Sequence, residues 1–203
     1  MTDADARVNA ERSRGGGDAD RAPRAAGEKR GKVVVNRSMS LDGFIAGPGH
    51  DMDPIVAFNS RMTHFVDIMN ATGAMLIGRT THEVARRMAP EDREYEGGAQ
   101  FVITHEPPDD PVPGITYLTG DLPDAVETAL TAAGGLNLEI LGADLASQCL
   151  RAGLVDEVLV YVLPVLFGDG VRFSTPELGR IELDPVEVRH ADGITVMRYR
   201  VRT

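Results

Sequence analysis

From residue 33 to residue 152 the chain alternates short apolar runs with segments of helical period, and this rhythm constrains its fold more than any other feature. Val33-Val34-Val35 is β-branched without polar alternation, as expected of a strand covered on both faces, and predicts a strand over 32–36. A turn-rich stretch over 41–48 follows. Ile55, Phe58, Met62, Phe65, Val66 and Met69 then recur at helical spacing, with Pro54 suited to a first turn, and predict a helix over 54–71. The pattern continues with strands over 74–77, 100–104, 115–118 and 138–141 and helices over 81–88, 122–133 and 143–152. Consecutive βαβ units imply an α/β fold, a three-layer arrangement whose central sheet is mostly parallel with helices on both faces. The last runs, 155–165, 182–190 and 194–201, have no helical pattern between them, so antiparallel strands are expected at the C-terminal edge.

Residues 1–32 break this rhythm. They contain Gly15-Gly16-Gly17, Pro23, mixed charges and no apolar cluster, too little to offset chain entropy. A disordered N-terminal extension over 1–32 and one domain over 33–203 are the expectation. The extension lacks an apolar run of signal-peptide length. Of 21 basic and 31 acidic residues, eight and six lie in 1–32, so the remainder carries 13 against 25. Such a surface is a poor match for a phosphate backbone, and nucleic acid is not an expected partner. No lysine follows Lys32, so an anion site in the domain must use arginine, histidine, hydroxyls or backbone N–H groups. The single thiol, Cys149, shares an apolar pattern with Leu145 and Leu150 and reads as a small buried hydrophobe. With no apolar run of membrane-spanning length, no membrane partner is expected, and the cytoplasm is the simplest compartment.

In open α/β sheets ligands bind beyond the carboxyl ends of the parallel strands, so the residues at those ends are the candidates for chemistry. After the first strand come Ser40 and the turn dipeptide Asp42-Gly43; Asp42 is as compatible with shaping a turn as with catalysis. After the second come Gly78, Arg79, Thr80 and Thr81. Thr80 with Glu83 has capping-box spacing, which an ordinary helix start explains fully, while glycine and arginine directly after a strand add the features of a phosphate site. Thr104 and His105 follow the third strand, and Gly142, Ala143, Asp144 and Leu145 follow the fifth. Gly142 permits close backbone approach at another helix start. The histidines at 50, 64, 82, 105 and 190 show no metal-ligand spacing, and neither a nucleophile elbow nor a Walker-type loop is present, so no metal is expected.

Five segments in order, Ser40-Leu41-Asp42-Gly43-Phe44-Ile45-Ala46, Leu76 to Glu83, Val102 to Pro107, Gly142-Ala143-Asp144-Leu145-Ala146 and Leu163 to Gly170, resemble the reductase domain of bifunctional riboflavin-biosynthesis deaminase-reductases. The resemblance spans nearly all of residues 33–203. It implies a dihydrofolate-reductase-like sheet binding NADPH, with hydride passing to a small heterocyclic or ribosylated metabolite. By the same resemblance Arg79, Thr80 and Thr81, with Gly78, would hold cofactor phosphates, Thr104 and His105 its adenosine side, and Gly142, Ala143, Asp144 and Leu145 its pyrophosphate. Ser40 and Asp42 would face nicotinamide and substrate, with water or Asp42 as proton source. An acidic role would require burial to raise the pKa of Asp42.

Departures from the family pattern define the alternative. Leu141 stands where such reductases often have a second glycine, and Phe44 where they often have a basic residue. Phe58 and Asn59 occupy the first half of the predicted helix where folate reductases place a carboxylate. The alternative is a non-catalytic nucleotide-binding or structural dimer on the same fold. A homodimer is expected in either case, through the apolar run 158–167 extending at a sheet edge, although a buried core strand explains that run equally well.

Overall fold

A computed structural model of the chain describes residues 30–59, 70–88, 98–191 and 193–202. The expected extension therefore lies outside the described residues up to position 29, as does the predicted helix over 60–69. Strands β1 (Val33–Ser40), β3 (Thr72–Gly78), β4 (Ala99–Ile103), β5 (Ile115–Leu118), β6 (Asn137–Leu141) and β7 (Glu157–Leu163) form one parallel sheet. Strand β10 (Ile194–Val201) pairs antiparallel with β7, and β9 (Leu183–Ala191) antiparallel with β10. The order across the sheet is β5-β4-β3-β6-β1-β7-β10-β9. Helices α1 (Asp53–Asn59), α2 (Arg79–Ala85), α3 (Leu122–Ala132) and α4 (Ala143–Arg151) are the described α-helices.

Side-chain alternation along β1 explains why its apolar run is unbroken. Val33 and Val35 join Val126 and Leu130 of α3 and Leu145 and Leu150 of α4 on one face. Val34 packs on the other face with Ile55 of α1 and with Leu159 and Tyr161 of β7. Both faces are covered along Val33–Val35, so this part of the strand has no polar alternation. Leu138 and Ile140 of β6 are fully buried, and each contributes about 1.5–3 kcal/mol by leaving water.

The structure departs from the sequence reading in four places, each with a physical cause. β1 runs four residues past Asn36, because its pairing with β7 continues from Val34 opposite Glu157 to Ser40 opposite Leu163 and carries Arg37 and Ser38 inside the strand. The turn-rich stretch contains a short strand, β2 (Phe44–Ala46), held by pairing with β8 (Val171–Arg172). Helix α2 starts at Arg79 with Gly78 as its N-cap, so Thr80 lies within the first turn and the capping box does not form; Glu83 instead takes Arg79 Nη1 at 2.8 Å. Finally, β7 ends at Leu163 and lies between β1 and β10 with its backbone paired on both sides, so of the two readings of the run 158–167 its strand part, 158–163, is a core strand and not an open sheet edge. The outer strands are β5 and β9.

Candidate functional site

A cleft of about 850 Å³ opens over the carboxyl ends of β1, β3, β4 and β6, a size suited to a small-molecule site. Gly78, Arg79, Thr80, Thr81, Thr104, His105, Gly142, Ala143, Asp144 and Leu145 all line it. These ten residues come from three separate strand ends, and the parallel sheet brings them together because β3 lies between β4 and β6.

The junction of α2 and α4 is the tightest part of the cleft. Gly142 has φ +114°, a conformation that side-chain-bearing residues rarely adopt, and a Cβ there would lie 2.8 Å from Thr81 Oγ1. A glycine is thus required for both the backbone turn and the approach of α2. As N-cap of α4, Gly142 offers no side-chain oxygen, and the first intrahelical bond is donated by Ala146 N to Gly142 O at 2.9 Å. The N–H groups of the first turn of α4 therefore lack intrahelical acceptors and carry the positive end of the helix dipole. Across from them Thr80, Thr81 and Arg79 supply hydroxyls and a guanidinium. The Arg79 guanidinium is largely exposed and engaged with Glu83, a pair that can open toward a ligand at small cost. Buried His82 steadies α2 from behind, its Nε2 lying 3.1 Å from the Tyr117 hydroxyl of β5. Burial, more than the nearby Arg86 charge, holds its pKa below the ordinary histidine value.

The turn after β1 is built differently. Ser40 is fully buried; its Oγ donates to Asp42 Oδ1 at 2.7 Å and accepts from Phe44 N at 2.9 Å. The Asp42 carboxylate also accepts from Phe167 N at 3.1 Å and Gly168 N at 2.7 Å. Neither residue is among those lining the cleft. The Ser40 hydroxyl, followed by the opposing cost of partial desolvation and by the Gly168 and Phe167 N–H groups, brings the Asp42 pKa to about 2. An acidic role for Asp42 requires a raised pKa, whereas these hydrogen bonds lower it and tie the 166–168 loop to the end of β1.

The cleft also takes residues that the sequence reading passed over. Arg37 and Ser38 reach it from the end of β1, Ile45 and Ala46 from β2, His50 from the following turn, and Met52 and Ile55 from the start of α1. His50 has φ +66°, the one described non-glycine residue with a positive value. Its position after Gly49 in a loop was a signal, since histidine tolerates that region better than branched residues. Outside the cleft lining, the Arg172 guanidinium stacks over the Phe44 ring at 4.4 Å, so a basic group accompanies the apolar side chain at that position. A second cavity, of about 290 Å³, lies toward the opposite ends of the strands, but its Glu157, Glu187, Arg189 and Arg198 pair with one another. Among the described residues no cluster of three or more histidine, cysteine or acidic side chains is placed to hold a metal.

Comparison with known proteins fits this geometry. The uncharacterized protein YwjB of Bacillus subtilis (strain 168) is 25% identical over 142 residues, which cover 69% of this chain and 80% of that one. A candidate riboflavin biosynthesis protein of Shewanella sp. PV-4 superposes with a TM-score of 0.71 at 23% identity, over 85% of this chain and 99% of that one. The diaminohydroxyphosphoribosylaminopyrimidine deaminase/5-amino-6-(5-phosphoribosylamino)uracil reductase of Thermotoga maritima gives 0.60 at 18% identity, over 86% of this chain and 57% of that longer one. Dihydrofolate reductase of Enterococcus faecalis, solved with NADP(H), gives 0.52 at 16% identity, over 86% and 98%. These superpositions establish a dihydrofolate-reductase-like fold. The RibD C-terminal domain model matches residues 31–196, and the chain belongs to that family, the reductase-domain family of riboflavin biosynthesis.

Proposed function

We propose that this protein is an NADPH-dependent reductase of a small heterocyclic or ribosylated metabolite. The observation that carries the proposal is the convergence of Gly142, Thr81 and the start of α4 on one cleft: a backbone that only glycine can adopt, beside open N–H groups and hydroxyls. An anionic dinucleotide needs such donors, and the lack of a side chain at Gly142 lets the Thr81 hydroxyl of α2 close on the start of α4 so that both face one ligand. Gly142, Ala143, Asp144 and Leu145 would hold the pyrophosphate, Gly78, Arg79, Thr80 and Thr81 further phosphate oxygens, and Thr104 and His105 the adenosine side. When bound, NADPH supplies a hydride from its nicotinamide ring.

The chain's own contribution is to bind, orient and shield. Ile45, Met52 and Ile55 line the end of the cleft nearest α1 and β2 with apolar side chains, against which a planar ring can pack. Hydride addition to a C=N or C=O group must be matched by a proton, and the engagement of Asp42 as a brace leaves water in the open cleft as its source.

The experiment is anaerobic mixing of the protein and NADPH with a ribosylaminopyrimidine, a pterin or a flavin, following loss of the reduced-nicotinamide absorbance. Oxidation dependent on protein and on one acceptor supports the reading. The turning away of Ser40 and Asp42 from the cleft favours one competing reading, a nucleotide-binding protein without turnover. Tight NADPH binding with no oxidation by any acceptor would select that alternative.

A further inference from the structure

Arg37 lies in the carboxyl half of β1, a strand parallel to both of its neighbours. By alternation it shares the face of Val33 and Val35, opposite Val160 of β7, and it lines the same cleft as Asp144, Leu145 and Gln148 of α4. Only 8% of its surface is exposed. Nη1 donates to the carbonyl oxygen of the adjacent Asn36 at 2.7 Å, while Nη2 is closed off from solvent and meets no acceptor among the described residues. Burial brings its pKa down to about 10, against the opposing charge of Glu139, so the group remains a cation at neutral pH. A buried guanidinium with an unused donor is costly, and an apolar side chain of similar length would pack there without that cost.

We infer that Arg37 is a binding residue for an anionic oxygen of the molecule that occupies the cleft, separate from the phosphate contacts at the helix starts. The oxygen has two sources, the cofactor or the reducible substrate, where it would be a carboxylate or an enolate conjugated to the ring. The guanidinium, held by one amino group and free at the other, discriminates such an anion from a neutral analogue by leaving a buried charge unmatched when the analogue binds. This rests on the reductase reading only in naming the occupants.

R37M and R37K test it, with thermal unfolding of the ligand-free proteins as the first readout. Removing an unmatched charge in R37M is expected to raise Tm by about 2–4 °C; a lower Tm would mean that Arg37 serves the fold, and would overturn the inference. The second readout is NADPH affinity by fluorescence, and the third is thermal stabilisation of the NADPH-saturated protein by orotate and by uracil, the same ring with and without a carboxylate. A loss of about tenfold or more in NADPH affinity in R37M, partly restored in R37K, assigns the oxygen to the cofactor. Unchanged NADPH affinity, with a preference for orotate over uracil in the wild type that vanishes in R37M, assigns it to the substrate. If R37M alters neither affinity nor preference, including the case in which the wild type shows no preference, the inference is overturned. The orotate and uracil comparison is also made on the ligand-free protein, so failure of the wild type to bind NADPH refutes the cofactor assignment alone and leaves the Tm and ligand-free orotate readouts to decide the substrate assignment.

Discussion

The turn after β1 and the helix start after β6 look alike in sequence, each a strand followed within four residues by glycine and aspartate, yet the structure puts them to opposite uses. At Asp42 the carboxylate is consumed by Ser40, Phe167 and Gly168. At Gly142 there is no side chain to consume anything, and the first turn of α4 faces the cleft with its donors open. A polar group at a ligand-binding rim is available only where the local turn does not use it, and turn-forming aspartate is the residue most apt to be used. Function is therefore better sought where hydrogen-bonding capacity is left over.

The comparison breaks most sharply at Gly142. G142A forces a Cβ to within 2.8 Å of Thr81 Oγ1 in a left-handed backbone. NADPH affinity should fall by at least about tenfold, ~1.4 kcal/mol, as measured by fluorescence titration. Stability should fall by roughly 1–3 kcal/mol in chemical denaturation. Adding T81A relieves the contact but not the backbone strain, so recovery should be partial. Wild-type affinity in G142A would remove α4 from the binding site.

Asp42 should show the reverse pattern. D42N weakens a brace that does not line the cleft, so thermal stability falls while NADPH affinity stays within a factor of about two. A D42N protein of normal stability and binding that transfers no hydride would instead return Asp42 to the chemistry. The pH dependence sharpens the point. The folded pKa, about 2, lies below the ordinary 3.8, so the stabilisation is complete above the higher value and is lost as pH falls from 3.8 toward 2. Acid unfolding of D42N should lack that component.

The smallest effect belongs to the Arg79–Glu83 pair. Both side chains are substantially exposed, so E83Q should change stability by only about 0.2–1 kcal/mol. R79Q should be equally mild on stability while weakening NADPH, because the guanidinium rather than the ion pair is what a phosphate uses.

Much of this architecture was legible in the sequence because period and burial agree: 115–118 and 194–201 are strands at the residues the pattern marks. All ten residues expected to bind cofactor line one cleft, since strand ends are fixed by the sheet and not by the chemistry. What escaped the sequence depends on long-range pairing. The polarity of Arg37 and Ser38 masked the end of β1, which only the register with β7 defines. The short β2 exists only because β8, more than a hundred residues later, pairs with it. The fate of the Asp42 carboxylate hung on the backbone of Phe167 and Gly168, and the capping role of Thr80 was lost when Gly78 took the cap.

The central claim is that the cleft between α2 and α4 holds the reduced dinucleotide. Titration of the intact protein with NADPH, followed by nicotinamide fluorescence, tests it most directly. The account predicts saturable binding in the wild type and D42N and its loss in G142A; absence of saturable binding of both NADPH and NADH by the wild type would contradict it.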